Sequence, residues 1–196
     1  PEATASLIPE MKGAKEVRVP LPSDLNESQR EAAKMGISRR LTLIQGPPGT
    51  GKTHTAVRIL ENWAIQDTGT VLAVADSNVA VDNLLEGLLE RGIRTVRLGQ
   101  PVKVRESLRE ATMDARMESH ELNRDLIEEI ERNEKLSRRI KGMRGGKEKG
   151  LAHRDLSRGW KEIRRLERQI RDDILDRAQV LCCCLLYTSP SPRDEL

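Results

Sequence analysis

Apolar residues fall along the chain in two kinds of pattern. Short continuous runs at Leu41–Ile44, Val71–Ala75 and Thr95–Leu98, with a later one at Ala178–Cys183, predict buried strands. Between them apolar positions recur every three or four residues. Ala56, Ile59, Leu60 and Trp63 give one helical face, and Val79, Val81, Leu84, Leu85, Leu88 and Leu89 give another. Leu25-Asn26-Glu27-Ser28-Gln29 opens an earlier helix running to about Met35, with Asn26 as N-cap and Gln29 as its reciprocal partner. Gly69 and Gly92 punctuate the alternation. Strand, helix, strand, helix, strand predicts a parallel sheet with right-handed crossovers, in which ligands gather beyond the carboxyl ends of the strands.

From about Val104 to Asp176 the pattern changes. Leu122, Leu126, Ile130 and Ile140 predict one long helix, and Leu156, Trp160, Ile163, Leu166, Ile170 and Ile174 a second. The Gly-rich stretch Lys141–Gly150 predicts the turn between them. The expectation is an antiparallel helical hairpin with a narrow apolar seam. Glu118–Glu134 holds seven acids and two bases, whereas Lys141–Arg171 holds eleven bases and four acids. Opposite signs on facing helices would favour docking, each exposed pair adding ~0.2–1 kcal/mol. The basic tip of Lys141, Arg144, Lys147 and Lys149 reads either as a grip on a phosphate backbone or as a solvated turn.

Chemistry concentrates at Gly46-Pro47-Pro48-Gly49-Thr50-Gly51-Lys52-Thr53, followed by His54, which fits G-x-x-x-x-G-K-[ST] between a predicted strand and a predicted helix. Glycines let the main chain curl until several N–H groups face one cavity, and the helix N-terminus adds its positive end. Lys52 would reach the β- and γ-phosphates of ATP, and the Thr53 hydroxyl would ligate Mg²⁺. Gln29 has two readings, as half of a capping box or as a reader of the adenine edge. Ser77 and Asn78, at the carboxyl end of the second strand, read as an N-cap or as contacts to a nucleic-acid backbone.

The 196 residues allow one α/β domain carrying an insertion. Phe is absent, and Trp63, Trp160 and Tyr187 are the aromatics, which weighs against recognition through rows of stacked bases. A net charge of +3 says little about partners. Cys182, Cys183 and Cys184 are contiguous, without the spaced pairs of a zinc site or disulfide framework, as in a cytoplasmic or nuclear protein. No signal peptide or long apolar span is visible in the sequence, so no membrane is expected.

Together these segments resemble the superfamily 1 helicases of the nonsense-decay and immunoglobulin-mu-binding-protein-2 type. The resemblance rests on Leu25–Gln29 (Q motif), Gly46–Thr53 (motif I) and Ser77–Asp82 (motif Ia). Val96–Gly99 and the strand Val180–Cys183 extend it, and Leu98–Pro101 with Glu106–Leu108 places the immunoglobulin-mu-binding type nearest. The resemblance implies a RecA-like P-loop sheet with an inserted helical hairpin, called 1C in that family, in an ATP-driven enzyme moving 5′ to 3′ on single-stranded RNA or DNA. It implies Gln29 on adenine, Gly49, Gly51, Lys52 and Thr53 on triphosphate and Mg²⁺, Ser77 and Asn78 on the strand, and Asp82 bracing that loop. Asp76 stands where the family usually has Pro, which puts an acid beside the phosphate-contacting loop.

The expected organisation is a lead segment at 1–24, a partial RecA-like domain at 25–103 and 177–183, the hairpin at 104–176, and a non-native tail at 184–196. The tail resembles a translated sequencing adaptor. No Asp-Glu-x-x-Gln segment follows the return strand. These residues alone are therefore expected to bind ATP weakly and hydrolyse it poorly. Two other readings stand beside this one. The chain could be a P-loop ATPase of another type, whose hairpin is an arm for a protein or nucleic acid, or a non-catalytic nucleic-acid-binding module.

Overall fold

The computed structural model describes residues 23–66, 69–99 and 105–185. The lead segment up to Pro22, the Gln100-Pro101 pair, Val104 and the tail from Leu186 onward lie outside the described residues. The chain divides into two compact units, one of residues up to Leu108 with those from Ala178 on, the other of Arg109–Arg177.

In the first unit, α1 (Glu27–Ser38) starts at Asn26, whose side chain accepts from the Gln29 N–H while the Gln29 side chain accepts from the Asn26 N–H. The two halves of this box satisfy donors that a helix start otherwise leaves open. Helix α2 (Lys52–Ile65) is followed by β1 (Val71–Ala75), α3 (Asn78–Leu89) and β2 (Thr95–Arg97). The return strand β3 (Val180–Cys184) lies between β1 and β2 and runs parallel to both. It begins one residue after Gln179, whose side-chain amide donates to Ala64 O (3.0 Å) and accepts from the Arg94 N–H (3.1 Å). Strand β3 extends through Cys184, which pairs with Ala75, one residue past the expected end at Cys183.

One side of the sheet is covered. Ala73, Val180 and Cys182 join Val57, Leu60 and Ala64 of α2, Val81 and Leu88 of α3, and Ile93 in one buried cluster. Each large aliphatic side chain there contributes roughly 1.5–3 kcal/mol by leaving water. Burial pushes the Cys182 thiol up to about 12, so it is a neutral packing group. Leu25, Ala33 and Ile59 form a second cluster that seats α1 on α2.

The predicted strand at Leu41–Ile44 does not form. Among the described residues this run pairs with no strand, and Leu43 is 89% exposed. A continuous apolar run becomes a strand only beside a neighbour whose backbone groups it can satisfy. Here all ladders among the described strands are exchanged through β3. Among the described residues the sheet therefore holds β1, β3 and β2, and the segment entering the P-loop belongs to no strand.

The second unit contains α4 (Met113–Glu118), α5 (Asn123–Lys141) and α6 (Lys147–Arg177). The 3₁₀ turn Glu106–Ala111 and α4 carry no sustained apolar period and were not predicted. Helices α5 and α6 pack together, burying Leu126 and Ile140 with Ala152, Ile163, Leu166, Ile170 and Ile174. The turn is shorter than expected, because Lys147–Gly150 are already helical. The charge asymmetry does not work as expected either. The ion pairs of α5 lie within α5 (Arg124–Glu128, Arg132–Glu129, Lys135–Glu131, Arg138–Glu134). Among the described residues α6 likewise carries pairs within itself, such as Arg158–Asp155 and Arg165–Glu162, and its Asp173 faces His120, which precedes α5. Spacings of three and four residues put such partners one turn apart on the same helix, nearer than any side chain across the seam.

Two polar features interrupt the seam. Asn133, 2% exposed, lies against Gly159; with its carboxamide oxygen turned toward Trp160 it accepts from that residue's backbone and indole N–H groups at 3.2 and 3.3 Å. His120 Nδ1 accepts from the Leu122 N–H (3.1 Å), so its proton sits on Nε2 and is donated to Asp173 (2.8 Å). That hydrogen bond, with Arg177 adding charge, holds the Asp173 carboxyl below the usual carboxylate range.

Two predictions follow from this unit. A Cβ on Gly159 would stand 2.7 Å from Asn133 Cγ, whereas one on the helical Gly150 meets nothing within 4 Å. Gly159→Ala is expected to destabilise by about 1–3 kcal/mol and Gly150→Ala to stabilise by about 0.5–1 kcal/mol, read from urea midpoints. Asp173 has a lower pKa folded than unfolded, so its contribution is complete above the ordinary aspartate pKa of 3.8 and is lost as pH falls through the lower folded value. Stability measured against pH should fall less steeply at the acid end in Asp173→Asn than in the unaltered chain.

Candidate functional site

The loop Gly46–Gly51 leads into α2 through two left-handed glycines, Gly49 at φ 80° and Gly51 at φ 77°. Gly51 is the N-cap, and no side chain caps the helix. The first helical bond runs from the Thr55 N–H to Gly51 O (2.9 Å), and Pro47 and Pro48 bring no N–H of their own. The donors at this end are therefore main-chain N–H groups at the start of α2, where the helix dipole favours an anion. Space is tight as well. A Cβ at Gly51 would lie 2.6 Å from Gln29 Nε2, and one at Gly46 would lie 2.9 Å from Thr50 Oγ1.

Lys52 folds over this loop, with Nζ donating to Gly46 O and Pro47 O, both at 2.7 Å. The Thr50 hydroxyl donates to Pro47 O (2.8 Å), closing the loop on itself. Gln29 meets the same loop through Nε2, which donates to Thr50 O (3.0 Å). Both ends of its amide are thus engaged, the oxygen in the capping box and the nitrogen on the P-loop. One turn into α2, His54 Nε2 lies 3.1 Å from Asp24 Oδ2, and the same carboxylate receives the Arg58 guanidinium. The Arg58 hydrogen bond is the main reason the Asp24 carboxyl sits below its usual range. The segment Asp24–Gln29 therefore grips the P-loop and its helix at two points. Thr53 is exposed at the mouth of α2, and its hydroxyl has no partner among the described residues.

Ser77 and Asn78 fall beyond the carboxyl end of β1. Ser77 is the N-cap of α3, its hydroxyl accepting from the Ala80 N–H at 3.3 Å. Asn78 Oδ1 accepts from Arg97 Nη2 (2.8 Å), and Arg97 Nε donates to Asp82 Oδ1 (3.0 Å). Arg97 is 1% exposed. The sequence reading missed Arg97, although a signal was present: a cation inside an apolar strand, and an acid next to Val81 on the buried face of α3. No hydrogen bond among the described residues joins this group to the P-loop group.

A family model described as "AAA domain" matches residues 24–191. The chain is 32% identical over 164 residues to DNA polymerase alpha-associated DNA helicase A of Schizosaccharomyces pombe, covering 83% of this chain and 24% of that protein. It is 37% identical over 169 residues to the regulator of nonsense transcripts 1 homolog of Neurospora crassa, covering 86% of this chain and 14% of that one. An uncharacterized ATP-dependent helicase of Methanocaldococcus jannaschii is 39% identical over 107 residues, 53% of this chain and 16% of its own length. The chain thus spans a quarter or less of these relatives. It belongs to the AAA domain family, among the superfamily 1 helicases of the nonsense-decay type.

Proposed function

We propose that these residues form the N-terminal part of the motor domain of an ATP-dependent helicase that moves 5′ to 3′ on single-stranded RNA or DNA. The observation that carries this reading is the uncapped start of α2 behind two left-handed glycines, with Lys52 lying across the loop. ATP would bind with its phosphates against the main-chain N–H groups of Gly49–His54. Lys52 would exchange two neutral carbonyl acceptors for anionic phosphate oxygens, so that both partners of each bond carry charge. The donor set also fits Mg²⁺: the unpartnered Thr53 hydroxyl is a hard oxygen ligand beside that cradle. When bound, Mg²⁺ would neutralise charge on the β- and γ-phosphates.

Gln29 has a part in this even without touching a base. It ties the start of α1 to Thr50 O, so an adenine that drew its amide away would loosen a P-loop contact. The proposed reading of adenine by Gln29 therefore couples base recognition to the shape of the phosphate loop. Ser77 and Asn78 would contact the strand's backbone, and the two packed helices α5 and α6 would be the family's 1C insertion, with the basic tip open to nucleic acid or a protein. The residues present supply triphosphate binding, and the family's Mg²⁺-organising Asp-Glu pair is not among the described residues. These residues alone would therefore bind without efficient hydrolysis.

Isothermal titration with Mg²⁺-ATP tests the first part. Lys52→Ala is expected to lose at least tenfold in nucleotide affinity while binding a labelled single strand unchanged; equal nucleotide binding by both chains would reject the P-loop assignment. Changing Lys141, Arg144, Lys147 and Lys149 together to Ser tests the tip. A smaller slope of log affinity against log salt is expected, by roughly 0.7 per lost phosphate contact on a single strand. An unchanged slope would mean that the tip is only solvated.

A further inference from the structure

We propose that Arg97 is a positioning residue that turns the Asn78 carboxamide oxygen inward, leaving its NH₂ group as an outward donor toward phosphodiester oxygens of a single strand. This rests on the proposed strand contact at Ser77 and Asn78 and adds what polarises it. Arginine carries donors and no acceptor, so the Asn78 atom 2.8 Å from Nη2 must be the oxygen. The geometry is a fork. Nε and Nη2 form one edge of the guanidinium, and Asp82 and Asn78 stand four residues apart on one face of α3.

Arg97 is 1% exposed and Asp82 3% exposed, so neither offers a surface of its own. Asn78 is only half-buried and is the first residue of α3. Ser77 spends its hydroxyl on the Ala80 N–H, leaving the Asn78 and Val79 N–H groups at the helix start to the same ligand. A free asparagine carboxamide presents a donor and an acceptor side by side, the pair that reads adenine N7 and N6. With its acceptor held by Arg97, this one presents donors alone. Phosphate oxygens are acceptors alone. The arrangement therefore suits backbone contact and gives no purchase on base identity.

Fluorescence anisotropy on the full chain, with oligo-dT and oligo-dA strands of equal length, tests this. Asn78→Ala and Asn78→Asp are expected to lose about tenfold in affinity, equally on both strands, because each removes the donor. Asn78→Asp keeps the bond to Arg97. The double variant Arg97→Met/Asp82→Leu removes the buried pair together and frees the carboxamide. It is expected to weaken oligo-dT binding by a similar factor and to acquire a preference for oligo-dA. Arg97→Lys keeps a charge for Asp82 but cannot span both acceptors, and it is expected to lose the same factor; circular dichroism melts check that each variant folds. Unchanged affinity in Arg97→Lys and the double variant, with weak binding by Asn78→Ala, would make Arg97 a packing residue and overturn the proposal. Unchanged affinity in Asn78→Ala would instead remove the strand contact itself, and the positioning role with it. A selective loss of oligo-dA binding in Asn78→Ala would show a base reader and also overturn the proposal.

Discussion

The sheet depends on a strand that arrives late. Neither β1 nor β2 pairs with the other; each pairs with β3, more than eighty residues after β2 begins. Until Val180–Cys184 is in place, β1 and β2 have no ladder, and α2 and α3 have no sheet to bury their apolar faces against. The bonds around Gln179 matter for this reason. They fix the entry of β3 against Ala64 on one side and Arg94 on the other, which sets the register of both ladders at once. The intervening unit costs little to carry. Lengthening a connection by about 70 residues amounts to two or three doublings, roughly 1.5 kcal/mol of closure entropy. A self-packed pair of helices returns its own burial energy.

Much of this was legible because local chemistry and tertiary fate agreed. Asn26 with Gln29 spelled a capping box, and both bonds are present. Val71–Ala75 was apolar throughout, and it is a strand. The stripes of α5 and α6 named Leu126, Ile140, Ile163, Leu166, Ile170 and Ile174, which are buried, but Trp160 is 43% exposed, and the buried Asn133, Ala152 and Gly159 stood outside the apolar period. Leu41–Ile44 shows the opposite case. Its residues favour a strand as strongly as Val71–Ala75 does, but a strand is a property of two neighbours, and composition says nothing of the second. The charge blocks of the two long helices misled for a related reason. Net charge was read as a field between helices, while the side chains found partners within a turn of themselves.

The candidate site was legible in its residues more than in its bonds. Sequence spacing placed Lys52 on the loop but could not show it held by Gly46 O and Pro47 O. Gln29 was weighed as a cap against a nucleotide contact, as though one use excluded the other. The amide has two ends, and the structure uses the oxygen for the cap and the nitrogen for Thr50 O. A single residue thereby connects helix capping to P-loop shape. Gly51 is constrained from both directions, by its left-handed backbone and by Gln29 Nε2 standing where a side chain would go.

Arg97 and Asp82 pose an energetic question that packing alone answers poorly. Removing a guanidinium and a carboxylate from water costs several kcal/mol per ion, and their mutual attraction often only restores the loss. Two aliphatic side chains of similar volume would fill the space between β2 and α3 about as well. What an aliphatic pair could not do is hold a carboxamide at the first residue of α3 in one orientation. The second bond of the group, from Nη2 to Asn78, is the one that reaches toward the surface, and it converts a costly core pair into a device that sets the polarity of a half-buried side chain.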